Sequence, residues 1–585
     1  MQQNVDNLRH SAAHLLAAAV MQLWPGTLRA IGPAIEDGFY FDFEFETPIS
    51  ETDLPVIEKK MHELVSSWQS FERFELSKEE ALEEYKDNPY KQELIEEFSK
   101  EGQSLTVYQS GDYRDLCRGG HIDHPSKELK HFKLLSIAGA YWRGSEKNNM
   151  LTRIYGTCFP TKDELQKYLI RIEEAKKRDH KILGPKLDLF TFSDKVGKGL
   201  PLWTPRGTLI RNLLDDFVWE LRRTIGYAKV EIPHITKKDL YETSGHWEKF
   251  KEELFRITTR EGHEFAMKPM NCPHHTQIFD RKPHSYREMP QRYATTTMVY
   301  RDEQSGELAG LSRVRCITQD DAHVFCRESQ VEHEALAIWD IIEAFYRGTG
   351  FPQLSYRLSL HDPDHFEKYL GTREVWANAE SQLRNMLTER GVAYVEAVGE
   401  AAFYGPKIDF ISKDSLGRQW QVATIQIDRN MPERFNLSCI NEQGEHERVV
   451  MIHAAIMGSI ERFMSILIEH FAGAFPLWLA PVQVAVVPVG NNFDDLSQEV
   501  HLALRQEGMR SELDVSNKTL SAKIRDWTLQ KVPYLCIIGG KEQEKRSTDG
   551  TLYVSIRTRE GKDLGMVPLS EFMNKLRIAI EKKSI

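Results

Sequence analysis

Apolar residues near the start of the chain follow two different spacings. From Leu8 to Leu23 they recur as on a helix, and in Gly38-Phe-Tyr-Phe-Asp-Phe43 aromatic residues crowd a short strand-like segment. An acidic helical stretch from Ser77 to Lys100 and further strands up to Tyr155 complete an α+β region, residues 1–160. The Glu-, Lys- and Arg-rich segment from Thr161 to about Asp179, bounded by Gly184-Pro185, predicts a linker helix over 161–185. Over 186–475 helices alternate with paired strands, which predicts a largely antiparallel sheet. Beyond Pro476 and Pro481 the pattern predicts a strand (482–489), a helix (496–506), a strand (511–515), a helix (520–530) and a strand (534–538). That spacing indicates a doubly wound α/β unit with parallel pairing over 476–585. The fold class is therefore α+β and multidomain.

Composition narrows this picture modestly. At 585 residues the chain exceeds the ~250 to 300 that one core usually holds, so several domains are expected. Seven cysteines without a framework spacing favour a reducing compartment and no structural disulfides. No signal peptide and no apolar run of ~20 residues is visible, so a cytoplasmic protein without membrane contact is expected. A net charge of -11 excludes bulk electrostatic binding of nucleic acid and confines any RNA surface to a local basic patch.

Two central segments carry candidate chemistry. The run Ala294 to Tyr300, the turn-rich stretch Gln304 to Gly310 and the return Val314 to Thr318 predict a β-hairpin bearing Arg301 and Arg313. Two guanidiniums brought together can clamp a triphosphate through planar, charge-assisted forks. Later, the strand Val449 to Ile452 leads through His453 and a turn at Gly458 into a helix beginning near Ser459, which presents Arg462. Taken singly, each arginine reads as a solvated charge; the ordered set reads as an adenylate-forming nucleotide site.

At these residues the chain resembles the class II aminoacyl-tRNA synthetases. Gly226-Tyr-Ala-Lys-Val-Glu-Ile-Pro233 matches motif 1, Tyr300-Arg-Asp-Glu303 motif 2 and Gly458-Ser-Ile-Glu-Arg462 motif 3. Within the class it is most similar to the threonyl-tRNA synthetases, through Lys268-Pro-Met-Asn-Cys-Pro273, Gln319-Asp-Asp-Ala-His323, Phe403-Tyr-Gly-Pro-Lys407 and Met451-Ile-His453. The resemblance implies an editing domain (1–160), a class II catalytic domain with an antiparallel sheet flanked by helices (186–475) and an anticodon-binding domain (476–585). It implies a homodimer joined through motif 1, with ATP, L-threonine and tRNA(Thr) as partners and threonyl-adenylate as intermediate. Arg301 would hold the α-phosphate, Arg313 and Arg462 the outer phosphates and adenine, and Glu303 the adenine amino group, with Mg2+ on the triphosphate. Gln319, Asp321, Tyr404 and Lys407 would line the amino-acid pocket, while Gln421 and Gln426 would border the nucleotide and Ser459 would open the motif 3 helix.

The spacing of Cys272, His323 and His453 says nothing by itself, but the resemblance implies that they hold one zinc ion per subunit. Three protein ligands would leave room for the amino and hydroxyl groups of threonine. Valine lacks the hydroxyl and would be rejected, whereas serine lacks only a methyl, worth ~10 to 200-fold, so a second sieve is required.

His10-Ser-Ala-Ala-His14 puts two imidazoles on one helical face, and Asp115-Leu-Cys-Arg-Gly-Gly-His121 adds a thiol and a third imidazole. From the residues alone this is either a four-ligand zinc site or a group of structural histidines; a zinc protease is excluded by the missing HExxH glutamate. The resemblance implies a metal-free editing pocket instead, formed by His10, His14, Cys117 and His121 with Lys91 and Asp115, where mis-attached serine is hydrolysed from tRNA. Three departures from the family pattern stand out. His274 replaces Gly and could compete as a ligand, Gly120 replaces Pro and could loosen the editing motif, and Arg429 replaces Phe. The family's ubiquitin-like N-terminal extension is expected to be absent. Two other readings are a synthetase-derived RNA-binding protein and a synthetase for serine or proline.

Overall fold

The computed structural model describes residues 2–145 and 147–585, which form two compact units, Met1–Glu173 and Glu174–Ile585. In the first unit the helix Gln2–Leu23 runs through the interior. Leu15 through Val20 are all buried, so this helix is apolar all round rather than amphipathic, as a central core helix must be. Around it lie a five-stranded sheet built on Gly38–Glu44, Phe132–Tyr141 and Met150–Cys158 and a three-stranded sheet of Glu72–Leu76, Leu105–Ser110 and Tyr113–Leu116. The acidic stretch expected as one helix is two, Lys78–Glu84 and Pro89–Lys100. Asn88 breaks it: its side chain caps the second helix at the Lys91 N–H, and Pro89 sits in the first turn, where its missing N–H costs nothing.

The charged helix spans Lys162–Arg178 as expected, but Gly184-Pro185 does not end a segment; both lie inside a second short helix, His180–Lys186. The second unit is organised around an eight-stranded sheet. Its central strands Gln291–Tyr300, Cys316–Cys326, Val450–Ala455, Gln419–Asp428 and Lys407–Lys413 are antiparallel neighbours in that order, and parallel pairs occur only towards its edges. The expected hairpin is present, although its return strand starts at Cys316, two residues beyond Val314. Helices Pro205–Thr224, Val331–Gly348 and Ile460–Phe471 supply the apolar core under one face.

The C-terminal sheet is mixed rather than wholly parallel. Val484–Pro488 pairs in parallel with Ser511–Leu513 and Tyr534–Ile538, and two antiparallel strands, Tyr553–Thr558 and Asp563–Pro568, extend the edge. Among the described residues no helix is long and apolar enough to cross a membrane.

Candidate active sites

The register of the central sheet assembles the first site. Lys407 stands opposite Gln426, Gln426 opposite His453, and His453 opposite His323, so four neighbouring strands present one row of side chains on one face. Gln319, Asp321 and His323 alternate along their strand and share that face. Tyr404 donates from its hydroxyl to Gln426 Oε1 (2.6 Å) and stacks on the His453 ring, with centroids 4.7 Å apart. Lys407 pairs with Asp409, which also accepts from Gln421 Nε2 at 2.7 Å. Gln421 is thereby held beside Arg357 rather than against the Gln426 row.

Cys272 opens the helix Cys272–Asp280, which brings its Sγ to the two imidazoles; the ligand atoms of Cys272, His323 and His453 lie within 4.8 Å of one another. Nε2 of His323 faces Nδ1 of His453 at 3.1 Å. Their outer nitrogens are held by other groups: His323 Nδ1 lies 2.8 Å from His275 Nδ1, and His453 Nε2 2.9 Å from Asp428 Oδ2. Holding the outer nitrogen of each imidazole is what fixes tautomer and ring angle at a metal site. Burial pushes the Cys272 thiol well above its ordinary value and the His323 imidazole well below, so these two donors are neutral until a cation stabilises the thiolate. The thiol and imidazole donors, the facing nitrogens and two nearby carboxylates, Asp321 and Asp428, fit a divalent cation such as zinc.

His274 is not the competing ligand that its position suggested. Its Nε2 lies 3.0 Å from Thr236 Oγ1, directed away from the cluster, and its neighbour His275 takes the inner place. On a helix, residue 275 lies three after Cys272 and shares its face, whereas 274 does not; that spacing was available in the sequence. Asp428 was likewise legible, two residues beyond Gln426 on the same strand face. His246 was not: it reaches within 3.6 Å of Cys272 Sγ from a distant short helix, and nothing in its surroundings signals this. Asp321 accepts from Asn271 Nδ2 at 3.0 Å, and burial raises its carboxyl to about 6.

Three arginines gather beside this row. Arg313 binds Glu303 through Nε (2.8 Å), and Arg462 donates from Nε to the Ser312 carbonyl (3.1 Å). Burial and then the charges of Arg301 and Arg313 lower the pKa of Arg462, and the nearby Glu303 carboxylate offsets this only in part. Arg301 lies over the Phe250 ring at 5.3 Å, and its buried Nε has no hydrogen-bond partner. The motif 3 helix is capped by Ser459, whose hydroxyl accepts from Arg462 N–H. Beneath the row Asp320 faces the other way. It pairs with Arg222 and accepts from the backbone N–H groups of Ile456 and Met457, holding the turn that leads to Gly458. Arg429 is occupied by Glu328 and Gln382, a surface ion pair away from the row.

The second site lies within the first unit, at a cavity of about 470 Å³ lined by His10, His14, Lys91, Asp115, Cys117 and Gly120 among others. Cys117 Sγ is 3.4 Å from His10 Nε2 and 3.3 Å from His121 Nε2. His121 stacks flat on Phe71 at 4.0 Å, and burial lowers its imidazole to about 3. The Cys117 thiol is pushed up to about 11 by burial. Asp115 receives Lys91 Nζ at 2.9 Å, Arg29 Nε at 3.0 Å and the Tyr113 hydroxyl at 3.0 Å. Gly119 and Gly120 hold φ of +94° and +84°, which proline cannot adopt, so the turn rests on glycine geometry and still brings Cys117 and His121 together.

Both clusters have metal-compatible spacing, and their surroundings separate them. Beside His10, His14, Cys117 and His121 two buried cations, Arg29 and Lys91, face one carboxylate, which opposes a dication. Beside Cys272, His323 and His453 two carboxylates favour one.

Residues 255–471 match the family described as tRNA synthetase class II core domain (G, H, P, S and T), 483–578 the anticodon binding domain, and 105–155 the threonyl and alanyl tRNA synthetase second additional domain. A threonine–tRNA ligase from Acetivibrio thermocellus is 47% identical over 580 residues, covering 99% of this chain and 89% of that protein. One from Porphyromonas gingivalis is 48% identical over 96% of this chain and 86% of its own length. A crystal structure titled as the RNA binding domain of threonyl-tRNA synthetase from Cryptosporidium parvum Iowa II has a TM-score of 0.64 at 36% identity, covering 68% of this chain and 98% of that one. Identity of this extent, along nearly the whole chain and across all three matched regions, shows that the chain belongs to the threonyl-tRNA synthetase family, the threonine–tRNA ligases of class II.

Proposed function

We propose that two active sites divide the labour of this ligase: threonine and ATP react on the central sheet, and mis-attached serine is removed in the cavity of the N-terminal unit. The chain is an ATP-dependent threonine–tRNA ligase with an editing function. Residues 1–160 would serve editing, 161–185 the linker, 186–475 catalysis and 476–585 anticodon binding. The observation that carries the reading is the convergence of Cys272, His323 and His453 on the face that also presents Gln319, Asp321, Tyr404 and Lys407.

Cys272, His323 and His453 would hold zinc, which when bound would supply Lewis acidity for the amino and hydroxyl groups of threonine. Asp321 would accept an N–H of the zinc-bound amino group, and Tyr404 and Lys407 would line the pocket beside it. Arg301, with its unpartnered Nε, would hold the α-phosphate; Arg313 and Arg462 would hold the outer phosphates and adenine of Mg2+-bound ATP, and Glu303, which pairs with Arg313, would hold the adenine amino group. Such a site works by positioning and charge stabilisation, with no covalent enzyme intermediate. A homodimer is supported by the motif 1 strand Ala228–Lys229, which lies at the sheet edge with exposed side chains beside half-exposed Ile235. A cytoplasmic location suits the free thiols.

ATP–pyrophosphate exchange with threonine, serine and valine tests the reading. Threonine is activated, serine weakly, valine not; equal exchange with threonine and valine would overturn the zinc-sorting assignment. His275 sharpens it. H275F removes the group on His323 Nδ1, and zinc affinity measured by chelator competition falls about 10 to 100-fold, the usual cost of losing such an outer partner.

In the editing cavity the neutral imidazole of His10 can accept a proton from water and Lys91 stabilises charge on the ester oxygen, while His121 holds Cys117 from behind. The Cys117 thiol stays protonated and serves as a hydrogen-bonding wall. H10A slows hydrolysis of seryl-tRNA about 10²-fold, the scale of one general base, and leaves threonylation intact. Deacylation at the wild-type rate would remove His10 from the mechanism.

A further inference from the structure

The buried pair of His180 and Glu469 is used by none of the chemistry above. His180 lies at the start of the helix His180–Lys186 and is 5% exposed. Its Nδ1 is 2.6 Å from Glu469 Oε1, which also accepts the His180 backbone N–H at 3.1 Å. Its Nε2 accepts the backbone N–H of Leu311 at 3.0 Å. A backbone N–H can only donate, so Nε2 carries no proton and Nδ1 does, donated to Glu469; one tautomer satisfies both bonds. Burial alone would raise the Glu469 carboxyl, but hydrogen bonds from His180 and then Arg418 hold it at about 2, so the acceptor is a carboxylate.

The location of the two ends gives the pair its meaning. Glu469 lies on the helix Ile460–Phe471, which carries Arg462 at its start. Leu311 is fully buried in the loop between the two motif 2 strands, next to Ser312, whose carbonyl accepts Arg462 Nε, and two residues before Arg313. The loop is tight against the imidazole: Gly310 has φ +56°, and a Cβ there would lie 2.3 Å from His180 Nε2.

We propose that His180 is a positioning residue for ATP, fixing the motif 2 loop to the motif 3 helix so that Arg313 and Arg462 meet the triphosphate together. This rests on the reading of Arg313 as an ATP ligand. The imidazole touches no substrate; it acts through the Leu311 N–H.

Two substitutions separate the bonds of the ring. H180N keeps a donor where Nδ1 lies and loses the acceptor for Leu311; H180Q keeps an acceptor where Nε2 lies and loses the donor to Glu469. In pyrophosphate exchange H180N raises KM for ATP about tenfold, the size of one net hydrogen bond, with KM for threonine unchanged. H180Q keeps KM for ATP near the wild-type value, with thermal melts confirming folded protein. Equal KM for ATP in H180N and H180Q, or an unchanged KM in H180N, overturns the proposal and leaves the pair a structural one. R313A run in parallel distinguishes the two readings. A raised KM for ATP in R313A with none in H180N sinks the positioning role alone; an unchanged KM in R313A sinks the ATP assignment of the loop and the proposal with it. Should both His180 variants fail to fold, G310A pushes the loop from the imidazole without altering the Glu469 bond, and a KM for ATP at the wild-type value in it would overturn the proposal.

Discussion

R301A is expected to lower kcat for threonine-dependent pyrophosphate exchange about 10² to 10³-fold, the loss seen when one preorganised donor to a developing charge is removed. The structure singles out Arg301 among the three arginines. Arg313 is engaged by Glu303, and Arg462 by the Ser312 carbonyl, whereas the buried Nε of Arg301 has no hydrogen-bond partner. Its guanidinium lies over the Phe250 ring, 5.3 Å from the centroid, and Nη2 rests 3.6 Å from Met270 Sδ, contacts that restrain it before any ligand arrives. A donor already desolvated and aimed adds more to a transition state than to a ground state, and the loss therefore falls on kcat more than on KM for ATP. R301K is expected to recover little, because an ammonium cannot reproduce the planar two-point contact. Exchange within a few-fold of wild type in R301A, with folded protein, would remove Arg301 from the α-phosphate.

C272S is expected to lose its zinc and, with it, threonine activation by ~10² to 10³-fold, the several kcal/mol that a bound metal supplies as a Lewis acid. Cys272 is the one thiol of the cluster and is 1% exposed, so its replacement by a harder, protonated hydroxyl leaves two imidazoles that do not make a closed set. Without a cation, His323 Nε2 and His453 Nδ1 can satisfy each other at their 3.1 Å separation, so the fold tolerates the loss. The expected signature is a melting temperature near that of stripped wild-type protein and a collapse of the threonine-to-valine ratio. Full zinc content in C272S, or undiminished threonine exchange without zinc, would refute the assignment.

Local pattern carried much of this protein. The alternation in Gln319-Asp-Asp-Ala-His323 places Gln319, Asp321 and His323 on one strand face whatever lies beside them, and the i, i+4 spacing of His10 and His14 places both on one helix face. The Ser459 cap and the Asn88-Pro89 break are local hydrogen-bonding facts of the same kind, although only the first was read correctly. The acidic stretch reads as one helix only by its Glu- and Lys-rich flanks; Asn88-Pro89 between them is the local signal that divides it. The strand alternation of the C-terminal sheet gave its parallel core, while the two antiparallel strands at its edge lie beyond the last element that the pattern resolved.

What local pattern could not carry is which faces meet. Cys272, His323 and His453 come together because strand pairing sets His323 opposite His453 and a separate helix delivers the thiol. Register between strands far apart in sequence depends on the burial of whole faces, not on the residues that happen to share a row. The same reason explains His246 against Cys272, Asp320 beneath the motif 3 turn, and His180 between Glu469 and Leu311. The sequence by itself determined the family, the chemistry-bearing residues and the face each occupies on its own element. Only the tertiary structure decided which imidazole stands behind His323, which arginine is left with an unpartnered nitrogen, and which cluster's charges favour a cation, because each depends on contacts that close only when distant segments are buried together.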